Sequence, residues 1–372
     1  MAYRILFISG GTGGHVYPIV PIIKSVQNLA QQSGKPTEIE IMGEGSLLLQ
    51  TASDLSLPLR KVLNVKLPRY PSPLVLINIF KLPVVFFQSL YHIWNFMPDL
   101  VFVKGSGSSL VAGLAAKLLF VPLIIHESDA IPAITNRILG KFAVKILTSF
   151  EESKKYFRTD KVIITGHPIR LEILDARKAD GLIAFGFNEQ KPVVLIIGGS
   201  QGASSLNKIL FDSLIQLVDE FQIIHQSGEA GYKTIGESIE RLKKEGEQSY
   251  GKLIAENYKL KPFLNVSEMA QSYAASDVIV SRAGAGSIFE IAALGKPVVI
   301  IPLPNSGSDH QIANAQEIAK FGAILIEQEN LTPHILIQEI KEAYQKREEI
   351  SVKIKEFTRL NAADLIAKEM LS

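Results

Sequence analysis

Short runs of consecutive apolar, mostly β-branched residues alternate along the chain with longer stretches of mixed apolar and polar positions. YRILFIS, EIEIMG, LVFVKG, PLIIHE, AVKILTS and VIITG punctuate the first half, and VVLIIGG, QIIHQSG, DVIVSR, PVVIIP and AILIE the second. Such continuous apolar runs separated by helical stretches predict parallel strands covered on both faces. Each half also opens alike, with strand, glycine loop and helix: YRILFIS-GGTGG-HVYPIVPIIKSV and VVLIIGG-SQGAS-SLNKIL. This weak repetition predicts two Rossmann-like α/β domains, residues 1–165 and 166–349, with a hinge near TGHPIR (165–170). Ligands of such sheets bind at the carboxyl ends of the strands, so two domains facing each other predict an interdomain cleft.

Composition narrows the class. At 372 residues, 47% hydrophobic and 20% charged, the chain suits two ordinary globular domains. It has no cysteine, which excludes disulfides and thiolate metal sites and fits a reducing cytoplasm. MAYRILFIS runs straight into a strand with no export signal. The net charge of +2 conceals an asymmetry: residues 1–165 carry +7 and the remainder −5. The first half is therefore expected to meet something anionic.

The strand ends carry the candidate chemistry. Two readings fit GGTGG (10–14): bare backbone that lets an anion or sugar approach a helix N-terminus, or a tight turn needing glycine at positive φ. The spacing is not G-x-G-x-x-G, and EIEIMG lacks a terminal acid, which argues against a dinucleotide. No G-K-[ST] follows, which excludes a Walker loop. His15 is either an ordinary first-turn residue or a general base. RAGAGSIFE (282–290) begins a helix suited to a diphosphate. Its Ser287 and Glu290 read as a capping box, or Glu290 as an acceptor for ribose hydroxyls.

PLPNSGSDHQIANAQ (302–316) supplies Asp309, His310, Gln311 and Asn314, either for sugar hydroxyls or as a solvated helix start; GGSQGA (198–203) offers Ser200 and more bare amides. Glu127 and Asp129 in HESDAIPAITNR raise glycosidase-type acid–base chemistry or a metal. The absence of a D-x-D tripeptide and of spaced His/Asp ligands argues against the metal.

KVLNVKLPRYPSPLVLINIFKLPVVFFQSLYHIWNF (61–96) is strongly apolar but broken by Pro71, Pro73, Lys81 and Pro83, too short in its longest run to span a bilayer. It reads as a buried core helix or as an interfacial surface, with Phe80, Phe87 and Trp94 beside Lys66, Arg69 and Lys81. Arg137, Lys141 and Lys145 recur every four residues, one face of a helix if that stretch is helical throughout. Both segments suit an anionic membrane surface better than nucleic acid, for which no aromatic-interleaved basic motif is present.

Taken in order, GGTGGHVYP, HESDAIPAITNR, GHPIR, GGSQGASSLN, HQSG, RAGAGSIFE and DHQIANA resemble the MurG glycosyltransferases over nearly the whole chain. The resemblance implies the GT-B fold, two Rossmann-like domains facing across a cleft, with the closing helix (about 350–372) crossing back onto the first. It implies inverting, metal-free and cofactor-free transfer of N-acetylglucosamine from UDP-N-acetylglucosamine to undecaprenyl-linked muramyl-pentapeptide in peptidoglycan synthesis. A peripheral enzyme on the cytoplasmic face of the cell membrane is expected. A transferase with another lipid acceptor and a UDP-sugar epimerase are the alternatives.

By the same resemblance Thr12, Gly13 and Gly14 line the donor sugar, and His15 is the base for the acceptor hydroxyl. Arg170 and Ser200 meet the donor diphosphate, and Leu264 meets uracil through its backbone. Ala285, Gly286, Ser287, Ile288 and Glu290 form the helix start under diphosphate and ribose, and Gln311 contacts the sugar. Four features depart from the family pattern: Asp129 in place of Asn, KGSGSSL without Gly-Gly-Tyr, His167 in place of Asn, and Phe289 in place of a small hydroxyl residue.

Overall fold

The computed structural model describes every residue except 1, 66–73, 199–203, 246–247 and 308, and gives the backbone alone for 74–79, 243–245 and 248–249. Ser200, Lys66 and Arg69 therefore lie outside the described residues. The chain divides into two units, residues 1–170 with 359–372, and residues 171–358.

In the first unit, β1 (Tyr3–Ser9), β2 (Thr37–Gly43), β3 (Leu59–Lys61), β4 (Leu100–Lys104), β5 (Leu123–Glu127), β6 (Lys145–Thr148) and β7 (Val162–Ile164) make a sheet of order β3-β2-β1-β4-β5-β6-β7. All of its pairings are parallel. In the second, β8 (Val193–Ile197), β9 (Gln222–Gln226), β10 (Tyr258–Lys261), β11 (Val278–Ser281), β12 (Val298–Ile300) and β13 (Ile324–Leu325) are ordered β10-β9-β8-β11-β12-β13, again all parallel. The edge strands β3 (LRK) and β10 (YKLK) escape the apolar-run pattern because an edge strand is not enclosed on all sides.

Each sheet reverses its strand order once, between β1 and β4 and between β8 and β11. A crevice opens at such a reversal beyond the carboxyl ends of the strands. The loops there are residues 10–12 and 105–106 in the first unit, and residues 282–284 in the second.

Helices cover both faces. The helix Gly13–Gln32 buries Val16, Ile19, Ile22, Ile23 and Val26 against Ile5 and Phe7 of β1, and Ile366, Ala367 and Met370 of the last helix (Ala362–Leu371) join that core. Arg359 donates to Ile164 O (2.8 Å) and Lys145 Nζ to Glu369 (2.8 Å), tying residues 359–372 to this sheet. Residues 350–358 belong instead to the second unit. There Phe357 stacks on Phe289 (4.6 Å between ring centres) and abuts Phe321 (5.5 Å), so the Phe289 departure fills a core position.

The helix Leu74–Phe96 has two unlike faces. Val85, Ser89 and Ile93 are buried, whereas Phe80, Val84, Phe87, Tyr91 and Trp94, spaced alternately four and three residues apart, stand in solvent. Among the described residues no helix is long and apolar enough to cross a membrane. The expected Arg137/Lys141/Lys145 stripe does not form on one helix. The helix Ile134–Leu139 ends before Lys141, Lys145 opens β6, and its ammonium is engaged by Glu369.

Candidate active site

Thr12 is the N-cap of the first helix, its carbonyl accepting from His15 N (2.9 Å) and Val16 N (3.0 Å). Thr12 Oγ1 lies 3.0 Å from His15 Nδ1, which fixes the imidazole over the end of β1. Burial, reinforced by the Lys104 charge and opposed by Asp129, brings His15 down to about 4, so the ring is neutral at pH 7.

None of Gly10, Gly11, Gly13 and Gly14 has a positive φ, which overturns the tight-turn reading. A Cβ on Gly10 would come within 2.6 Å of Ser106 Cβ and 2.8 Å of His15 Nδ1; one on Gly11 would lie 2.4 Å from Glu44 O. Those two are bare because the chain packs on itself there. A Cβ on Gly14 would meet nothing within 4 Å, so the protein's own packing makes no demand for glycine at that position. Gly13 faces Tyr17, whose ring carries the Arg170 guanidinium at 5.0 Å.

Beside His15 lies a polar cluster that the sequence did not disclose. Ser9, Lys104 and His126 are register partners across β1, β4 and β5, and the Lys104 side chain is buried. Its Nζ lies 2.5 Å from His126 Nδ1 and also donates to Ser128 Oγ. His126 Nε2 faces Gly166 O (3.2 Å), and His167 Nδ1 lies 3.3 Å from both Ser128 Oγ and Ser149 Oγ. Burial holds Lys104 below the ordinary lysine range, with Glu127 and Asp129 pulling it back up.

Glu127 is a brace rather than an open carboxylate. It accepts from Asp129 N (2.9 Å), Ala133 N (3.1 Å) and Asn136 Nδ2 (2.8 Å). The Ser106 hydroxyl caps the helix Gly107–Leu118 by accepting from Ser109 N (3.2 Å), and Ser108 donates to Glu44 (2.7 Å). The only sequence signal for Lys104 was a charged residue closing an apolar strand run.

In the second unit the helix Ala285–Leu294 starts where β11 ends, with Gly284 as N-cap and no side-chain cap bond. The capping-box reading of Ser287 and Glu290 is therefore wrong: both lie inside the helix, past the cap. Glu290 is buried and accepts from Tyr273 OH (3.2 Å). The capping box lies instead at Asn265 and Glu268, directly after the buried Leu264, and opens the helix Val266–Ala275. Ala285 and Ile288 are buried; Gly286 and Ser287 are half-exposed at the helix start.

Asn314 Nδ2 donates to Ala283 O (3.0 Å), anchoring the helix His310–Ala319 beside this turn. Gln311 Oε1 accepts from Leu303 N (3.0 Å), which leaves its amide NH₂ as the donating end. Arg282, another residue that sequence reading passed over, is buried and donates to Ile301 O (2.9 Å) and Ser205 Oγ (3.1 Å). Among the described residues no group of three His, Asp or Glu side chains could hold a metal ion.

Two doubly wound parallel sheets, with glycine loops at their switch points and a neutral histidine at one of them, have the architecture of a GT-B glycosyltransferase. Residues 5–148 match the glycosyltransferase family 28 N-terminal domain and residues 193–370 its C-terminal domain. Over 370 residues the chain is 35% identical to the UDP-N-acetylglucosamine–N-acetylmuramyl-(pentapeptide) pyrophosphoryl-undecaprenol N-acetylglucosamine transferase of Legionella pneumophila (strain Paris), covering 98% of this chain and 96% of that one. The chain belongs to glycosyltransferase family 28.

Among solved structures it resembles Acinetobacter baumannii MurG (TM-score 0.72, 24% identity, 99% of both chains). It also resembles a UDP-GlcNAc 2-epimerase from Neisseria meningitidis bound to UDP-GlcNAc (TM-score 0.66, 18% identity, 99% of both chains). At these identities the two structures speak to the fold alone.

Proposed function

We propose that this chain transfers N-acetylglucosamine from UDP-N-acetylglucosamine to undecaprenyl-pyrophosphoryl-N-acetylmuramyl-pentapeptide, with inversion. The observation that carries this reading is the near-full-length identity to transferases of that name, joined to a neutral histidine at a switch point. The acceptor hydroxyl oxygen attacks the anomeric carbon, the bond from that carbon to the phosphate oxygen breaks, and UDP departs with the electron pair. With Nδ1 held by Thr12 Oγ1, Nε2 is the ring nitrogen that takes the acceptor proton.

The first unit supplies this base with the acceptor loops, and the second the donor nucleotide. Amides at the start of the helix Ala285–Leu294 suit the diphosphate, and Glu290 the ribose hydroxyls. Thr12, Gly13, Gly14, Arg170, Ser200, Leu264 and Gln311 keep the roles implied by resemblance, and Asp129 stands with them as a substrate-binding residue. Purified protein should release UDP only with the muramyl lipid present. Turnover with a different lipid, or epimerised UDP-sugar without any acceptor, would overturn the assignment.

Glu290→Gln keeps an acceptor for Tyr273 but weakens the bond to ribose. The preference for UDP over 2′-deoxy-UDP in calorimetry should shrink by roughly tenfold or more, since charged hydrogen bonds contribute about 1.5–3 kcal/mol. An unchanged preference would leave Glu290 a core residue.

The first unit is also proposed to dock on anionic membrane without spanning it. Supporting this are the +7 balance of residues 1–165 and the exposed stripe Phe80, Val84, Phe87, Tyr91 and Trp94, with Phe120, Ile134, Phe142 and Val144 exposed in the same unit. Each basic residue near such a surface contributes about 1 kcal/mol. Because Lys145 is engaged by Glu369, the informative reversals are Lys81→Glu and Lys141→Glu. These should reduce sedimentation with anionic vesicles, and Phe87→Ser with Trp94→Ser should reduce it further. Equal binding to zwitterionic vesicles at low salt would refute the electrostatic part.

A further inference from the structure

Lys104 is a residue to which neither the fold nor the reaction described above gives a task. A buried ammonium is costly, and it persists only where neighbours hold it charged or where its removal would cost more. Here it ends β4, one register step from Ser9 of β1 and from His126 of β5. The turn it reaches, through His126 Nδ1 (2.5 Å) and Ser128 Oγ, carries Asp129 as its next residue.

Asp129 is held from two further sides. Its N–H donates to Glu127 Oε1 (2.9 Å) and its carbonyl accepts from Ser153 Oγ (2.9 Å). Ser106, two residues beyond Lys104, closes on Gly10, over which the His15 ring lies. The ends of β1, β4 and β5 thus form one block, with His15 at its surface and Lys104 inside it.

We propose that Lys104 is a positioning residue of the transfer reaction: it ties the end of β4 to the 126–129 turn and so holds Asp129 where its carboxylate stabilises the imidazolium formed as His15 takes the acceptor proton. The proposal rests on His15 being the base. Burial and the Lys104 charge push His15 down, and the Asp129 carboxylate pulls it up. The other polar or charged groups around this block are Thr12 and Tyr17 on the helix of His15, Glu44 after β2, Ser106 after β4, Glu127 and His126 on β5, and Arg170 over Tyr17. Glu44 is turned to Ser108 and Glu127 to its three donors, which leaves Lys104 and Asp129 as the charges that act on the ring.

The experiment pairs steady-state kinetics with titration of ¹³C-labelled histidine, the His15 signal being assigned by its loss in His15→Ala. Lys104→Met should lower kcat roughly tenfold to a hundredfold, the scale of a sub-ångström to ångström misplacement, with the KM for UDP-N-acetylglucosamine unchanged. At the same time the His15 midpoint should rise, by about one unit if the lost charge dominates. A slower enzyme with a more basic histidine is what a positioning role demands, and general destabilisation would not produce it.

Asp129→Asn should lower both kcat and the His15 midpoint. The double variant restores the charge balance of the block, so it keeps the test open if Lys104→Met does not fold; its kcat should remain low. Wild-type kcat in Lys104→Met or in Asp129→Asn, or a His15 midpoint moved by neither, would overturn the proposal. If His15→Ala keeps its rate, the base reading fails and this proposal with it. If His15→Ala is inactive while Asp129→Asn is not, only the present proposal fails.

Discussion

His15→Ala is expected to lower kcat by roughly 10²–10⁴-fold, the usual contribution of a positioned general base, while leaving UDP binding nearly intact. The residue lies in the first turn of its helix, held through Nδ1 by Thr12, and the second unit carries the proposed nucleotide ligands. Because burial brings His15 down to about 4, the ring is already in its proton-accepting form at pH 7. The acid limb of kcat/KM, which reports the free enzyme, should therefore lie near pH 4 rather than near the ordinary histidine value of about 6.5. Near-normal turnover of His15→Ala at saturating substrates would remove the residue from the chemistry. A parallel loss of UDP binding would mark it as a support of the fold.

Stability should fall steeply between about pH 6.5 and pH 4. His126, His167 and His225 are buried and held well below the usual histidine range by that burial, His225 down to about 3. A group depressed in the folded state contributes stability that is present above its unfolded pKa and lost as pH falls toward the folded one. All three rings act in the same direction, each losing its contribution as it takes a proton. Glu127, raised by burial, works in the opposite direction but is one group against three.

The local bonding at His225 fixes the tautomer of the neutral ring. Asn207 Nδ2 donates to Ser227 O (2.9 Å), which turns its Oδ1 toward His225 Nε2 (3.0 Å). Nε2 must then carry the hydrogen, and Nδ1 accepts from Tyr258 OH (2.7 Å). Protonation at Nδ1 would force that hydroxyl to turn from donor to acceptor and would leave a buried charge with no anion among its bonded partners. Urea midpoints should drop between pH 7 and pH 5, and equal midpoints would show that these rings titrate without cost.

The glycine loops show how far local sequence reaches. GGTGG stood out because four glycines follow a strand run, and the structure indeed puts them at a sheet's switch point. Which glycine serves the chain and which leaves space was not legible. Gly10 and Gly11 are bare because Ser106 and Glu44 approach from loops far away in sequence, whereas Gly14 faces open space. Ser287 and Glu290 failed in the opposite way. Their S-x-x-E spacing matches a capping box, but the helix begins at Ala285 with Gly284 as its cap, so a correct pattern sat in the wrong register.

The two parallel sheets and the loops that hold the candidate chemistry were legible in the order of residues alone. Apolar runs and the residues after them are local properties, set by strand burial and by backbone that must turn into a helix. Which polar groups meet was set by the folding of distant segments onto one another. Lys104, His126 and the turn before Asp129 come from separate strands, and their juxtaposition depends on the β1–β4–β5 register. The helix Leu74–Phe96 divides in the same way: its apolar content was legible, but which of its faces the core would take was settled only by the sheet against which it packs.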